Sequence, residues 1–137
     1  MTCQAIPKSA VESVELSDQE QWPIQLGLAP SSATFFDKAH LLIAADCTGY
    51  AGTGFYTKYM KGKITLTGCP KLDDFDYVEK ITAILKNNNI KSVTVIRMDL
   101  PCCRAIANSV IFALQKCRKI IPWWAVTLNT DGEVVSD

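Results

Sequence analysis

The feature that most constrains the fold is a β-branched, apolar run at residues 92–98, which is followed almost at once by a helical pattern. Between the two lie Pro101 and the adjacent cysteines Cys102 and Cys103. Residues 104–118 carry apolar side chains at the spacing of one helical face, namely Ile106, Val110, Ala113, Leu114 and Cys117. The pattern predicts a buried strand that delivers two thiols to the start of a helix.

Two further cysteines have the same position relative to a strand. Cys47 closes the apolar run at residues 41–46, and Cys69 closes the run at residues 63–68. A nearly continuous apolar run such as the first is typical of a parallel strand that is buried on both faces. In a parallel sheet the carboxyl ends of the strands share one edge, and open α/β sheets bind ligands there. We therefore expect these two thiols and the adjacent pair to converge at that edge.

Strands and helices alternate along the rest of the chain. Residues 123–128 form a last apolar run before the turn at residues 129–132, and Asp73 and Asp74 are suited to cap a helix between the second and third runs. The buried stripe of that helix is Phe75, Val78, Ile81, Ile84 and Leu85. The alternation predicts a three-layer α/β fold, in which a mainly parallel sheet is flanked by helices in the Rossmann or flavodoxin-like manner.

The 137 residues suit one domain, which we place at residues 21–137 behind an N-terminal arm at residues 1–20. Residues 22–28 alternate apolar and polar side chains, which predicts an edge strand. The glycines between Cys47 and Lys61 suggest a phosphate loop. However, their spacing matches neither the dinucleotide fingerprint nor the P-loop, so we expect a glycine-flanked loop and a short helix instead.

The charge balance argues against two classes of partner. Fourteen basic and fourteen acidic residues cancel without forming a basic cluster, so neither nucleic acid nor an anionic membrane surface is predicted as a partner. No run approaches ~18 apolar residues and the N-terminus lacks the apolar core of a signal peptide, so we expect a cytoplasmic protein. Cytosolic thiols are kept reduced, so six cysteines indicate metal ligands or redox groups rather than a disulfide framework.

Four converging thiols suit three kinds of chemistry. Four thiolates complete a tetrahedral zinc site or supply one ligand for each iron of a 4Fe-4S cluster. The positive end of the helix after Cys103 predicts a lowered pKa for Cys102 or Cys103, as ligand or nucleophile chemistry requires. Adjacent cysteines are an awkward pair for one metal ion, because neighbouring side chains diverge in an extended backbone. A thiol-based redox or sulfur-carrier role therefore stays open beside the two metal sites.

The remaining candidate residues have simpler interpretations. Cys117 lies inside a helical stripe and Cys3 near a terminus, so both are predicted not to be ligands. His40 precedes the first strand, which places it roughly 20 Å from Cys47 and at the opposite edge of the sheet. Asp46 and Asp99 lie near the thiol edge and suit second-layer hydrogen-bond acceptors or turn positions.

Four blocks, at residues 21–26, 42–47, 68–73 and 95–103, occur in an order and at intervals that match a known family. The chain resembles the C-terminal domain of ferredoxin-like proteins of anaerobes, a family of 4Fe-4S iron-sulfur cluster-binding proteins, over Gln21 to Gly132. The family usually has glycines where this chain has Arg104 and Ala105, and an aliphatic-His-aliphatic run where it has Gly27. The C-x-x-C-x-x-C motif of the family's ferredoxin half does not occur here, so the clusters of that half are not carried over.

The residues and the resemblance together favour a redox function. We expect an iron-sulfur cluster, 4Fe-4S rather than another type, to be held by Cys47, Cys69, Cys102 and Cys103 for electron transfer or redox sensing. Zinc is the alternative metal, and the alternative functions are a thiol-based redox or sulfur-carrier protein and a structural zinc-binding interaction domain. The resemblance implies a ferredoxin-type redox protein as partner, and self-association into a homodimer is a further option.

Overall fold

The computed structural model describes residues 21–136, so the predicted N-terminal arm and Cys3 lie outside the described residues. The described residues form five strands, which are β1 (Ala39–Ala45), β2 (Ile64–Gly68), β3 (Ile90–Met98), β4 (Trp123–Leu128) and β5 (Val134–Ser136). The same part of the chain forms three α-helices, which are α1 (Thr48–Ala51), α2 (Tyr77–Asn87) and α3 (Arg104–Lys116). A 3-10 turn at Pro101–Cys103 precedes α3, and a π-helical turn spans Tyr56–Met60.

The strands form one sheet in the order β2-β1-β3-β4-β5. The first four are parallel and β5 is antiparallel to β4, which confirms the predicted α/β fold with a mainly parallel sheet. The predicted turn at residues 129–132 closes the β4–β5 hairpin, where Gly132 has a φ of 82° and its N–H donates to the carbonyl oxygen of Asn129 over 2.9 Å. None of the helices in residues 21–136 is long and apolar enough to cross a membrane.

The two faces of the sheet are covered by different connections. The strand register places Thr65, Leu42 and Thr94 in one row on one face. That face is covered by the connection at residues 48–60, since Thr65 lines a cavity together with Phe55 and Met60. On the opposite face α2 packs against α3, and α3 packs against β3. Right-handed crossovers produce this division. The connection from β1 to β2 runs toward one side of the sheet, whereas the connections from β2 to β3 and from β3 to β4 run toward the other side, so they cover opposite faces.

The start of α2 differs from the prediction. Ile81, Ile84 and Leu85 are fully buried, as the stripe predicts. Phe75, however, precedes the helix, is 37% exposed and stacks on Tyr77 with ring centroids 4.6 Å apart. The assignment of Phe75 to the stripe is wrong because the helix is capped later than expected. The carboxylate of Asp76 accepts a hydrogen bond from the N–H of Glu79 over 3.1 Å, which is the usual N-cap contact.

The predicted edge strand at residues 22–28 is also wrong. Gln25 makes an isolated parallel bridge with Thr67, after which the N–H groups of Leu28 and Ala29 both donate to the carbonyl oxygen of Gln25. The chain therefore turns instead of continuing along β2. The side chain of Gln21 replaces further strand pairing, because its amide donates to the carbonyl oxygen of Thr65 (2.6 Å) and accepts from the Thr65 N–H (3.1 Å).

Candidate functional site

The thiols leave three neighbouring strands at the same edge of the sheet. Ala45 at the end of β1 pairs with Gly68 at the end of β2, so Cys47 and Cys69 follow paired positions. On the other side β1 pairs with β3, which leads through residues 99–101 to the adjacent cysteines. His40 lies at the opposite edge, as predicted, where its Nδ1 is 2.7 Å from the Ser92 hydroxyl.

The two adjacent cysteines lie in different environments. The 3-10 turn at Pro101–Cys103 runs directly into α3, and the N–H of Cys103 donates to the carbonyl oxygen of Leu100 over 3.1 Å. Cys102 is exposed, whereas Cys103 is 5% exposed and belongs to the hydrophobic core. The turn therefore presents one thiol to solvent and packs the other behind it.

The pKa of the Cys103 thiol depends on the neighbouring thiols. Burial raises the pKa of the Cys103 thiol, a hydrogen bond with the backbone of Met98 opposes that rise, and the thiols of Cys102 and Cys47 raise the pKa further. The lowered pKa that was predicted for Cys102 or Cys103 is therefore not found at Cys103, because burial is the largest influence on its thiol. Cys102 and Cys47 are thus close enough to Cys103 for their charges to act on its pKa, and we call Cys47, Cys102 and Cys103 the thiol cluster.

The fourth candidate, Cys69, has different neighbours. Its N–H donates to Asp73 Oδ2 over 3.1 Å, and the hydroxyl of Tyr77 donates to the same oxygen. Burial, the hydrogen bond to Asp73 and the charge of that carboxylate raise the pKa of Tyr77, with smaller contributions from Asp46 and Cys69. Cys69 thus lies beside a buried tyrosine and a carboxylate, at the start of the connection to α2.

The described residues contain no group of three or more His, Cys, Asp or Glu side chains that is arranged to hold a metal ion. The four predicted ligands Cys47, Cys69, Cys102 and Cys103 are therefore brought to one edge of the sheet without forming a closed ligand set.

The other cysteine and the two acidic candidates have structural partners. Cys117 is buried in the core and its Sγ donates to the carbonyl oxygen of Leu114 over 3.3 Å, which confirms the packing interpretation. Asp46 Oδ1 accepts from the Gln25 amide over 3.1 Å. Asp99 is exposed, and its N–H donates to the carbonyl oxygen of Leu128 over 2.6 Å, as expected of a turn position.

Three residues near the thiol edge were not predicted to belong there. The sequence alone indicates no role for Tyr77, and it predicts a capping role for Asp73 and an edge-strand position for Gln25. Asp73 and Tyr77 are four residues apart, and side chains at this spacing can meet at the start of a helix. A helix that begins near residue 76 would therefore predict their contact. The contact of Gln25 with Asp46 joins parts of the chain that no local pattern connects.

Comparison with known proteins identifies the fold family. A family model described as a Rossmann-like domain matches residues 33–137. An uncharacterized protein of Archaeoglobus fulgidus is 28% identical over 92 residues, which is 66% of this chain. The aligned part spans 64% of that relative's length, so the chain covers less than two thirds of it. No solved structure matches. Neither match names a ferredoxin-like protein, so that resemblance stays a prediction.

Proposed function

The chain belongs to the Rossmann-like domain family, and from this premise we propose that it is a thiol-based redox protein whose centre is the thiol cluster of Cys47, Cys102 and Cys103. The observation that carries the proposal is that the paired strands β1 and β3 lead to Cys47 and to the adjacent Cys102 and Cys103 at one edge of the sheet, where Cys47 and Cys102 both act on the Cys103 thiol. The position at the carboxyl edge of a parallel sheet supports it, because open α/β sheets place their sites there.

The exposure of the thiols assigns their roles. Cys102 is exposed at the turn before α3, which makes it the attacking thiol. Cys47 is exposed as well, whereas Cys103 is buried and its raised pKa keeps it protonated at neutral pH. Because the thiolate is the nucleophile in exchange reactions, Cys47 is the expected resolving thiol.

The proposed reaction is thiol–disulfide exchange with a disulfide of a partner protein. The Cys102 thiolate attacks one sulfur of that disulfide and forms a mixed disulfide, while the other partner sulfur leaves as a thiolate. The Cys47 thiolate then attacks Cys102 Sγ and displaces the second partner sulfur. Cys47 and Cys102 end as a disulfide, the partner ends as a dithiol, and the two protons lost by the cysteines are taken up by the partner's thiolates.

Glutathione disulfide tests the proposal on the whole chain. We expect the protein to release two equivalents of glutathione and to form one internal disulfide, which peptide mass spectrometry locates between Cys47 and Cys102. Cys102→Ser should abolish the reaction, and Cys47→Ser should stop it at a glutathione adduct on Cys102. The matched control is Cys117→Ser, because Cys117 is buried in the core and lies outside the thiol cluster. Glutathione adducts without any internal disulfide in the unmodified chain would contradict the proposal.

An iron-sulfur cluster is the second candidate, and the strand register favours it. Cys47 and Cys69 follow the paired residues Ala45 and Gly68, and adjacent parallel strands lie only about 4.8 Å apart. A 4Fe-4S cluster held by Cys47, Cys69, Cys102 and Cys103 would supply one-electron chemistry, with a ferredoxin-type protein as the partner that the family resemblance implies. Because residues 21–136 hold no preformed metal-binding group, the loops that carry these cysteines would have to close around it.

Colour and metal content separate the candidates. Anaerobic reconstitution with iron and sulfide should give a brown protein with charge-transfer absorbance if a cluster is bound. A colourless product that retains zinc on metal analysis would indicate the structural zinc-binding domain. A colourless, metal-free product that still forms the internal disulfide would exclude both metal candidates and support thiol exchange.

A further inference from the structure

A cavity of about 640 Å³ lies beside the β1–α1 connection, and none of the cysteines lines it. Asp46 and Thr48 line it, but Cys47 between them does not. The cavity is an open cleft between the β1–β2 half of the sheet and the connection at residues 48–60. It therefore occupies the carboxyl end of the first strand, the position at which open α/β sheets bind ligands.

The walls of the cavity suit a flat apolar body. Aromatic rings of Tyr50, Phe55 and Tyr56 and the side chain of Met60 line one side. Phe55 is 8% exposed and stacks obliquely on Tyr59 at a centroid distance of 5.3 Å, so its ring is held by packing in the core, whereas Tyr50 is 94% exposed at the rim. Aromatic walls of this kind favour rings or aliphatic groups through burial and stacking.

The opposite wall is polar and carries one negative charge. Asp46 is the only ionisable acid or base other than tyrosine among the described residues that line the cavity. The amide of Gln25 donates to Asp46 Oδ1 over 3.1 Å and to the Thr67 hydroxyl over 3.2 Å, which orients the carboxylate. Because no lysine, arginine or histidine lines the cavity in the described part of the chain, a phosphate or carboxylate ligand would meet the like charge of Asp46 and no compensating cation there.

The polar wall also contains a hydroxyl without a partner. Thr65 lines the cavity and is 1% exposed, and its Oγ1 makes no hydrogen bond within the described residues. Because this oxygen has less than 1 Å² of exposed surface, it lies behind the cavity wall, and the groups that a ligand would meet are Asp46 and the aromatic rings.

We propose that this cavity binds a small organic cation, a primary amine carried on an aromatic or aliphatic body. The ammonium group would face Asp46, and the apolar body would lie against Phe55 and Tyr56. A cation beside aromatic rings gains a further attraction from their electron-rich faces. The proposal is independent of thiol exchange, because the cavity contains none of the thiols.

A matched pair of probes tests the proposal on the ¹⁵N-labelled chain. 2-Phenylethylamine is a cation at neutral pH, and 3-phenylpropionate carries the same phenylethyl body with the opposite charge. We expect 2-phenylethylamine to shift the amide resonances of Thr48, Tyr50, Thr65 and Thr67, and 3-phenylpropionate to shift none of them at the same concentration. Equal binding of both probes, binding of neither, or shifts confined to other residues would overturn the proposal.

A substitution identifies the charged group. Asp46→Asn keeps an oxygen that accepts from Gln25, and should weaken binding of 2-phenylethylamine about tenfold by removing a charge-assisted contact. Asp74→Asn is the control, since Asp74 is an exposed carboxylate that does not line the cavity. The amide spectrum of each variant shows whether it is folded, and the comparison of the two probes on the unmodified chain does not depend on either variant. Unchanged affinity in a folded Asp46→Asn variant would overturn the assignment.

Discussion

Asp73 accepts a hydrogen bond from the backbone N–H of Cys69 over 3.1 Å, and the hydroxyl of Tyr77 donates to the same carboxylate oxygen. One carboxylate thus fixes the segment after β2 to the first turn of α2. The contact explains why Asp73 does not cap the helix, because its Oδ2 already accepts two hydrogen bonds. It also holds the Cys69 backbone beside Tyr77, at the start of the connection that leaves the sheet edge.

The position of the Tyr77 hydroxyl leaves no room for a side chain at Gly68. A Cβ atom at this position would lie 2.1 Å from the Tyr77 hydroxyl oxygen and 3.0 Å from Cζ of the same ring. We expect Gly68→Ala to lower the free energy of unfolding by about 1–3 kcal/mol, the usual cost of overpacking in a buried site. Urea denaturation followed by circular dichroism measures the change.

Gly49→Ala is the matched control for Gly68→Ala. A Cβ atom at Gly49 would have no neighbour within 4 Å, and the residue lies in α1 with an ordinary backbone conformation. Its substitution should change stability by less than about 0.5 kcal/mol or raise it slightly, since alanine favours helix. Equal losses in the two variants would show that the Tyr77 contact is not the cause.

The raised pKa of Tyr77 predicts a loss of stability in alkaline solution. Burial and the neighbouring Asp73 disfavour the phenolate in the folded chain, so the folded state holds this proton above pH 10 while the unfolded chain releases it. The stabilising effect of protonated Tyr77 is fully present below about pH 10. Above that pH the free energy of unfolding should fall by at most about 1.4 kcal/mol per pH unit. Denaturation at several pH values between 9 and 11.5 measures the slope, which should be shallower in Tyr77→Phe.

The sequence predicts the strands well because their signal is local. Leu42, Ile43, Val95 and Ile96 lie in strands and are fully buried, as expected of apolar runs in a parallel sheet. The predicted edge strand does not form because the side chain of Gln21 hydrogen-bonds to the backbone of Thr65, 44 residues away in the sequence, and makes the contacts that a strand would make. Such a contact leaves no local pattern.

The sequence predicts which edge of the sheet carries the candidate site, but not which of its thiols are exposed. The alternation of strands and helices identifies the edge that each cysteine reaches, as the pairing of Ala45 with Gly68 shows. It does not distinguish Cys102 from Cys103, because the 3-10 turn decides which thiol is exposed and which is buried. The pKa of Cys103 follows from that burial rather than from the position of the residue at a helix start.

The N-cap of α2 gives a direct test of where the helix begins. Asp76→Ala removes the acceptor for the Glu79 N–H, so we expect a loss of about 1 kcal/mol in the free energy of unfolding. Asp74→Ala should cost little, since Asp74 is exposed and precedes the cap. Thermal denaturation of the two variants compares them. A larger loss for Asp74→Ala would mean that the helix is capped where the sequence alone predicted.

Cys69 separates the two redox candidates, because only the cluster requires it. Cys69→Ser keeps nearly the same volume and the backbone N–H that donates to Asp73, but it removes a soft ligand. If a cluster is bound, anaerobic reconstitution of Cys69→Ser should give little or no charge-transfer absorbance, and the stabilisation that cluster binding adds to the folded chain should be lost. If thiol exchange is the function, the variant should form the internal disulfide with glutathione disulfide as fast as the unmodified chain.

The control for Cys69→Ser is Cys117→Ser, whose thiol is buried in the core beside the Leu114 carbonyl oxygen. It should keep the colour of any cluster and the rate of disulfide formation, with a loss in the free energy of unfolding of roughly 1–3 kcal/mol if the new hydroxyl lacks a full partner. Equal iron content and equal stability of the two variants would remove Cys69 from the ligand set. The carboxyl edge would then hold only the thiol cluster of Cys47, Cys102 and Cys103, whose chemistry requires no metal.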